Sequence, residues 1–452
     1  MKGTLTLKIS ISGVRGVVGD SLTPQLAGRF ASAFGTYVGP GKVVVGRDAR
    51  PSGEMLENAV FAGLLAAGCQ PVHIGICPIP SVLLLTKTLR ARGGIMVTAS
   101  HNPREWNGLK FLSGRGLYLS ASEFEEFLDI YHQGDFTFVR ADKHRSILEE
   151  PHPTRHHLAR LLGSIDAGLI RRKRIRVVAD CNNGAGAVLF PEFLEALGCE
   201  VTALNTTPDG TFVHQSEPVP ENLTGLCRRV RETKADVGFA QDADADRLAV
   251  IDEHGEALGE DMTLALAVKY ILARTPGPVA VNLSASQAID DLARKAGVPV
   301  YRTKIGESNV VEEMLARGAV IGGEGNGGVI WPKVHPCRDS FAAAGLILQQ
   351  MADTGQTVSS LAREIPAYAI VKDKVPGTPE EAHRILGQLR KKYTAEDVST
   401  LDGLKIKFKA SSVHIRPSNT EPIIRVQAEA KGRKEAAALL GRFKREMSAL
   451  LK

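Results

Sequence analysis

Asp242, Asp244 and Asp246 alternate with alanine, end in Arg247, and sit between the apolar stretches Val237-Gly238-Phe239 and Leu248-Ala249-Val250-Ile251. Carboxylates this close repel by about 3 kcal/mol per pair at ~5 Å and an effective dielectric near ~20. A bound divalent cation removes that cost. All-oxygen ligation selects Mg²⁺ over zinc and leaves positions for phosphate or water oxygens. A calcium EF-hand does not fit, because no late glutamate follows and a strand pattern resumes at once; a solvated acidic turn is the plain alternative.

Three other segments carry polar chemistry. Thr98-Ala99-Ser100-His101-Asn102-Pro103 follows apolar Gly94-Ile95-Met96-Val97 and offers the Ser100 hydroxyl in a loop that proline keeps irregular. In Gly322-Gly323-Glu324-Gly325-Asn326-Gly327-Gly328, glycines let backbone approach a ligand while Glu324 and Asn326 suit vicinal hydroxyls. Arg416-Pro417-Ser418-Asn419-Thr420-Glu421-Pro422 combines a guanidinium fork, hydroxyls and a tight turn, the makings of a phosphate nest. Taken singly, each could be an ordinary turn. A serine, a magnesium site, a polyol loop and a separate phosphate anchor together describe phosphoryl transfer to or from a phosphorylated sugar.

The elements that must carry these loops repeat. Val43-Val44-Val45 leads through a helix ending at Gly68 to Val72-His73-Ile74 and then to Gly94–Val97. The same order recurs from Ile175 through Gly198 to Asp236–Phe239, and from Val279 through Gly297 to Ala319–Ile321. Each glycine stands where a helix end needs a left-handed residue. Such βαβ units predict mostly parallel sheets with ligands at the carboxyl ends of the strands. From about Ala369 a helix over Pro379–Tyr393, closely spaced strands (403–408, 412–415 and 423–427) and a basic terminal helix predict an α+β domain with an antiparallel sheet. The expected domains are 1–152, 153–255, 256–368 and 369–452: three similar α/β domains with mixed, mostly parallel sheets and a smaller C-terminal α+β domain. The polar, histidine-bearing stretch 142–157 is expected to be the first linker.

Composition narrows the classes. With 43% hydrophobic and 23% charged residues the chain is globular. It lacks an apolar run of about 20 residues, and Met1-Lys2 leads straight into alternating sequence, so a cytoplasmic protein without membrane contact is expected. Its six cysteines form no C-x-x-C pair and are expected to be reduced core thiols. The net charge of +6 suits a small anionic substrate, whereas 5% aromatics without basic interleaving argue against nucleic acid. Arg171-Arg172-Lys173-Arg174 is expected to be a solvated helix-to-strand connection.

T-A-S-H-N-P, D-A-D-A-D-R, G-E-G-N-G-G and R-P-S-N-T-E-P, in this order, together with Ser10-Ile11-Ser12-Gly13-Val14-Arg15-Gly16, resemble the α-D-phosphohexomutase family over nearly the whole chain. The resemblance implies four domains around a central cleft, one Mg²⁺ per chain, and an active form phosphorylated on Ser100. Phosphoserine would give its phosphoryl group to the sugar, a hexose 1,6-bisphosphate would turn around in place, and the other phosphate would return to Ser100. By motif position the phosphoserine, Asp242, Asp244 and Asp246 hold the metal, and Arg15, Lys110 and Arg247 surround the transferring group. Glu324 and Asn326 read sugar hydroxyls, Arg416, Ser418, Asn419 and Thr420 take the distal phosphate, and Lys304 and Arg425 contact substrate. Many members end the sugar loop with Ser-Gly-His; here it reads Asn326-Gly327-Gly328, so His101 or Lys110 is expected to handle the proton. The motifs look most like the archaeal-type phosphoglucosamine mutase branch, which points first to glucosamine 6-phosphate and glucosamine 1-phosphate and next to glucose and mannose phosphates. The chain is expected to act as a monomer or homodimer. A sugar phosphatase using the same metal loop and a non-catalytic sugar-phosphate binder are the competing expectations: the first releases phosphate without a bisphosphate activator, and the second never acquires phosphate on Ser100.

Overall fold

The computed structural model describes residues 7–417 and 423–451. The chain divides into two compact units, Met1–Tyr270 with Asn326–Ala362, and Ile271–Gly325 with Arg363–Lys452.

The first unit holds two sheets. Strands β1 (Lys8–Ser10), β2 (Gly13–Val17), β3 (Lys42–Arg47), β4 (Gln70–Ile76), β5 (Gly93–Val97), β6 (Trp106–Ser113) and β7 (Leu148–Glu149) form a seven-stranded sheet in the order β1-β2-β6-β5-β3-β4-β7. Its β5-β3-β4-β7 part is parallel, and β6 joins β5 antiparallel. Val43, Val44 and Val45 are fully buried, as expected of a strand covered on both faces. Helix Pro24–Val38, capped by the Thr23 side chain, packs Phe30 and Phe34 against Phe111 and Phe127. Its approach to helix Gly53–Ala66 is so close that a Cβ on Gly63 would stand 2.3 Å from the Gly28 carbonyl oxygen. The second sheet, β8 (Arg176–Asp180), β9 (Glu200–Leu204), β10 (Val237–Gln241) and β11 (Leu248–Ile251), has the order β11-β10-β8-β9, parallel except for β11.

In the second unit β12 (Val279–Asn282), β13 (Val300–Thr303) and β14 (Ile321–Glu324) pair in parallel as β13-β12-β14. Gly68, Gly198 and Gly297, the three glycines that close the repeated helices, have φ of +79°, +82° and +69°. Short strand β15 (Gly328–Ile330) belongs to the first unit. The C-terminal sheet runs β16-β20-β19-β18-β17 and is antiparallel throughout, with β16 (Ala369–Pro376), β17 (Asp397–Ser399), β18 (Leu404–Lys407), β19 (Ser411–Pro417) and β20 (Ile423–Ala430). Helices Pro379–Lys392 and Arg433–Leu451 bury Ile385, Leu389, Phe443 and Met447 in one core with Ile406, Val413, Ile415 and Val426.

Three features differ from expectation. Strands β16 and β17 escaped the apolar pattern because β16 carries Lys372, Asp373 and Lys374 at exposed positions and β17 is only three residues long. The stretch read as a linker contains β7, paired with β4, and leads into helix Arg155–Leu162, where His157 is only 1% exposed. The rest of the stretch is mostly exposed, as a linker is, and His157 at its end is the buried exception. Among the described residues no helix is long and apolar enough to cross a membrane.

Candidate active site

The serine and aspartate loops begin where β5 and β10 end, at the carboxyl edges of their parallel strands. Ser100 adopts φ +52°, and its backbone N–H donates to Thr98 Oγ1 at 2.9 Å. Around this turn the Arg50 guanidinium is buried and donates to four main-chain carbonyls: Ser100 at 2.7 Å, Asn102 at 2.6 Å, Pro103 at 2.5 Å and Trp106 at 2.9 Å. Arg50 Nε in turn donates to Asp48 Oδ2 at 3.0 Å, and Thr98 Oγ1 donates to the same oxygen at 2.6 Å. A planar fork can reach four acceptors where an ammonium cannot. Arg50→Lys is therefore expected to lower the denaturant midpoint, at a cost of about 2 kcal/mol or more, and to cut turnover at least tenfold by loosening the serine turn; urea melts and initial rates check both.

The aspartate loop folds back on itself. Asp242 Oδ1 accepts from the backbone N–H of Asp246 at 3.1 Å and of Arg247 at 3.2 Å, with Ala245 at φ +59°. Ser340 Oγ donates to the Ala245 carbonyl at 2.6 Å and accepts from Gln241 Nε2 at 2.7 Å. This turns Asp242, Asp244 and Asp246 toward one another, with one oxygen from each within 4.8 Å of the others, all fully buried. Ser100 Oγ lies 3.3 Å from Asp242 Oδ2.

Cations ring the trio. Lys110 Nζ is 2.7 Å from Asp244 Oδ2 and 3.9 Å from Asp246 Oδ2, Arg338 Nη2 is 2.5 Å from Asp246 Oδ2, and Arg247 Nε lies 3.9 Å from Asp242 and 3.8 Å from Asp246. Arg15 Nη1 donates to Asn102 Oδ1 at 3.2 Å, two residues beyond the serine. Burial and the adjoining Asp246 and Asp244 push the Asp242 carboxyl well above its ordinary value. For Asp244 burial acts the same way, but Lys110, Arg338 and Arg15 outweigh it and hold the group below its ordinary value. Arg247, burial and Arg15 hold His101 well below the usual histidine range.

The residues fit a divalent cation. Asp244 Oδ1 and Asp246 Oδ1 are buried without a hydrogen-bond partner, and such orphaned oxygens are ligand positions in waiting.

The second unit carries its own polar array. Buried Glu324 accepts on Oε1 from Asn282 Nδ2 at 2.8 Å and from the Gly306 N–H at 2.9 Å. The neighbouring Ile305 N–H donates to Asp402 Oδ2 at 3.0 Å, and the Asp402 carbonyl lies 2.7 Å from His414 Nε2. Loop 304–306 thus ties Glu324 to the C-terminal sheet. Arg416 on β19 stands directly across from Arg425 on β20; burial, then Arg425, lowers its pKa, while Asp402 and Glu324 oppose that shift. Lys304 is exposed.

Of the residues singled out from sequence, Ser100, His101, Lys110, Arg15, Arg247 and the three aspartates gather in the first unit. Asn326 belongs to that unit too, its Oδ1 accepting from the Gly328 N–H at 3.3 Å. Lys304, Glu324, Arg416 and Arg425 belong to the second. Ser418, Asn419 and Thr420 lie outside the described residues. Sequence reasoning missed Asp48, Arg50, Thr98, Arg338 and Ser340. A signal existed for the first two, since Arg47-Asp48-Ala49-Arg50 is a charged run at the carboxyl end of an apolar parallel strand.

Models of the phosphoglucomutase/phosphomannomutase family match along the chain: alpha/beta/alpha domain I over residues 7–138, domain II over 155–255, domain III over 259–368, and the C-terminal domain over 368–446. A probable phosphoglucosamine mutase of Methanopyrus kandleri is 39% identical over 438 residues, 96% of each chain. A phosphoglucomutase/phosphomannomutase of Thermococcus kodakarensis is 37% identical over 437 residues, 95% of each. Among solved structures, a phosphoglucomutase/phosphomannomutase family protein of Burkholderia thailandensis superposes with a TM-score of 0.85 at 27% identity, covering 98% of both chains. Likeness this extensive, in sequence and in fold, means that the chain belongs to the phosphoglucomutase/phosphomannomutase family and is a phosphohexomutase.

Proposed function

We propose that the enzyme moves a phosphoryl group between the 1- and 6-positions of a hexose phosphate through phosphorylated Ser100, with one Mg²⁺ held by Asp242, Asp244, Asp246 and the phosphoserine. The observation that carries this reading is the 3.3 Å approach of Ser100 Oγ to Asp242, beside carboxylate oxygens that lack partners. In the first half-reaction the bond between phosphorus and Ser100 Oγ breaks and one to a sugar hydroxyl oxygen forms, while the hydroxyl proton passes to a protein base. After the bisphosphate turns around, the same steps run in reverse with the other phosphate. A bound Mg²⁺ would draw charge from the transferring oxygens. Arg15, Lys110 and Arg247 supply fixed positive charge around them. His101 fits the role of base, because it is uncharged near neutral pH and its Nδ1 is buried without a hydrogen-bond partner, whereas Lys110 is committed to Asp244. A pH–rate profile unchanged in His101→Gln would remove it from that role.

Glu324 and Asn326 are assigned to sugar hydroxyls, and Arg416, Arg425, Ser418, Asn419 and Thr420 to the phosphate that does not react, with Lys304 at the substrate. The divisions 1–152, 153–255, 256–368 and 369–452 give each domain one of these loops. Arg416 and Arg425 stand in register on neighbouring strands and bring two positive charges to one place, which supports the phosphate assignment. Arg416→Ala is expected to raise KM for the hexose phosphate about 10- to 100-fold, the loss of one charge-assisted contact of roughly 1.5–3 kcal/mol; steady-state kinetics at saturating Mg²⁺ measures it.

Glucosamine phosphate is the first choice of substrate, because the Methanopyrus kandleri relative carries the phosphoglucosamine mutase name. Glucose and mannose phosphates are the second, since the Thermococcus kodakarensis relative is named for those mutases. We place the reaction in the cytoplasm, on a monomer or homodimer. Isomer formation from glucosamine, glucose and mannose 6-phosphates, with and without glucose 1,6-bisphosphate, tests the reading. Bisphosphate-stimulated isomerisation is expected, and steady phosphate release without isomer would replace it with a phosphatase.

A further inference from the structure

We infer that His157 is a positioning residue for the aspartate loop, acting through Asp339, which sits between two residues that grip that loop. This inference rests on the reading of Asp242, Asp244 and Asp246 as metal ligands. Three buried side chains form an unbroken line: Ser81 Oγ lies 2.8 Å from His157 Nδ1, and His157 Nε2 lies 2.9 Å from Asp339 Oδ2. All three are 1% exposed, so the line has no access to substrate and a Ser-His-Asp nucleophile is excluded. Its segments fall within three different domain matches, Ser81 in domain I, His157 in domain II and Asp339 in domain III.

The far end of the line explains its use. Asp339 Oδ1 caps helix Ser340–Thr354 by accepting from the backbone N–H groups of Phe341 at 2.9 Å and Ala342 at 3.1 Å. Its Oδ2 is left for His157, so one carboxylate fixes both the helix start and the residues beside it. On one side Arg338 Nη2 reaches Asp246 Oδ2, and on the other Ser340 Oγ reaches the Ala245 carbonyl. Releasing Asp339 from His157 therefore loosens both grips at once. Partners that orient a ligand set from outside are commonly worth 10- to 100-fold in metal affinity.

Mn²⁺ binding to the whole protein, read by electron paramagnetic resonance without substrate, separates positioning from plain stability. His157→Phe keeps the ring that packs edge-on against Phe341, with centroids 5.3 Å apart, and removes both hydrogen bonds. Asp339→Ser keeps a capping oxygen and removes the arm to His157. Both are expected to weaken Mn²⁺ binding at least about tenfold, with turnover largely recovered at high Mg²⁺. His157→Gln, whose amide can still donate toward Asp339, is expected to bind Mn²⁺ within about threefold of the wild type, by the same outer-shell scale. Should His157→Phe fail to fold, Asp339→Ser carries the test. Wild-type Mn²⁺ affinity in a folded His157→Phe or Asp339→Ser protein, with only the melting temperature lowered, overturns the inference, as does His157→Gln losing as much affinity as His157→Phe. Absence of Mn²⁺ binding in the wild type itself would instead overturn the metal reading.

Discussion

Ser100→Ala is expected to reduce isomerisation by at least about 10³-fold, because on the proposed mechanism it removes the oxygen that would carry the phosphoryl group. Intact-mass measurement after incubation with glucose 1,6-bisphosphate should show an increment of about 80 Da on the wild type and none on the variant. Stability should change little. Ser100 Oγ makes one long contact at 3.3 Å to a carboxylate, whereas the loop is held through its carbonyls by Arg50 and through its N–H by Thr98, all of which survive the substitution. Normal isomerisation by a folded Ser100→Ala protein would end the phosphoserine reading.

The second large effect separates two aspartates that look equivalent in sequence. Asp242→Asn and Asp244→Asn should each cut turnover by about 10²-fold or more, as expected for loss of a ligand to an ion that stabilises transition-state charge by several kcal/mol. Their metal-free stabilities should move in opposite directions. Asp242 is buried beside two other carboxylates and its pKa is raised. Protonation therefore favours the fold: the advantage is complete below the unfolded carboxylate value of about 4 and is lost as pH rises through the raised folded value. At pH 7 an amide removes this penalty, so Asp242→Asn should melt at or above the wild-type temperature in EDTA. Asp244 is the partner of buried Lys110 at 2.7 Å. Its replacement strands an ammonium, and breaking such a pair costs about 3–5 kcal/mol before relief of repulsion is subtracted. Asp244→Asn should melt lower. Identical shifts in the two variants would show that the Lys110 pairing is misassigned.

Short-range chemistry was legible before the fold was known. The alternating aspartates, the serine turn after an apolar strand and the glycines closing each helix need only local rules, and the structure places the first two at strand ends and the glycines at helix ends as those rules require. What sequence could not reveal is which distant side chains hold these loops. Arg50 reaches the Ser100 carbonyl across 50 positions, Arg338 reaches Asp246 across 92, and His157 reaches Asp339 across 182. No local periodicity encodes such pairings. Most of the stretch 142–157 is exposed, as its polar composition suggests, but no local signal marks that Leu148-Glu149 pairs with β4 or that His157 is buried. Strands β16 and β17 were missed because one is largely exposed and charged and the other very short, so neither shows the alternation that marks a half-buried strand.

The in-register arginines of the C-terminal sheet, Arg416 and Arg425, have a practical consequence at the bench. The two residues stand in register on neighbouring strands and the charge of Arg425 lowers the Arg416 pKa, so a small oxyanion that bound beside both would be favoured. On the proposed assignment of these arginines to the phosphate that does not react, inorganic phosphate should compete with the sugar ester, and Arg416→Ala should weaken that competition. Kinetic constants gathered in phosphate buffer are then expected to understate the enzyme's grip on its substrate.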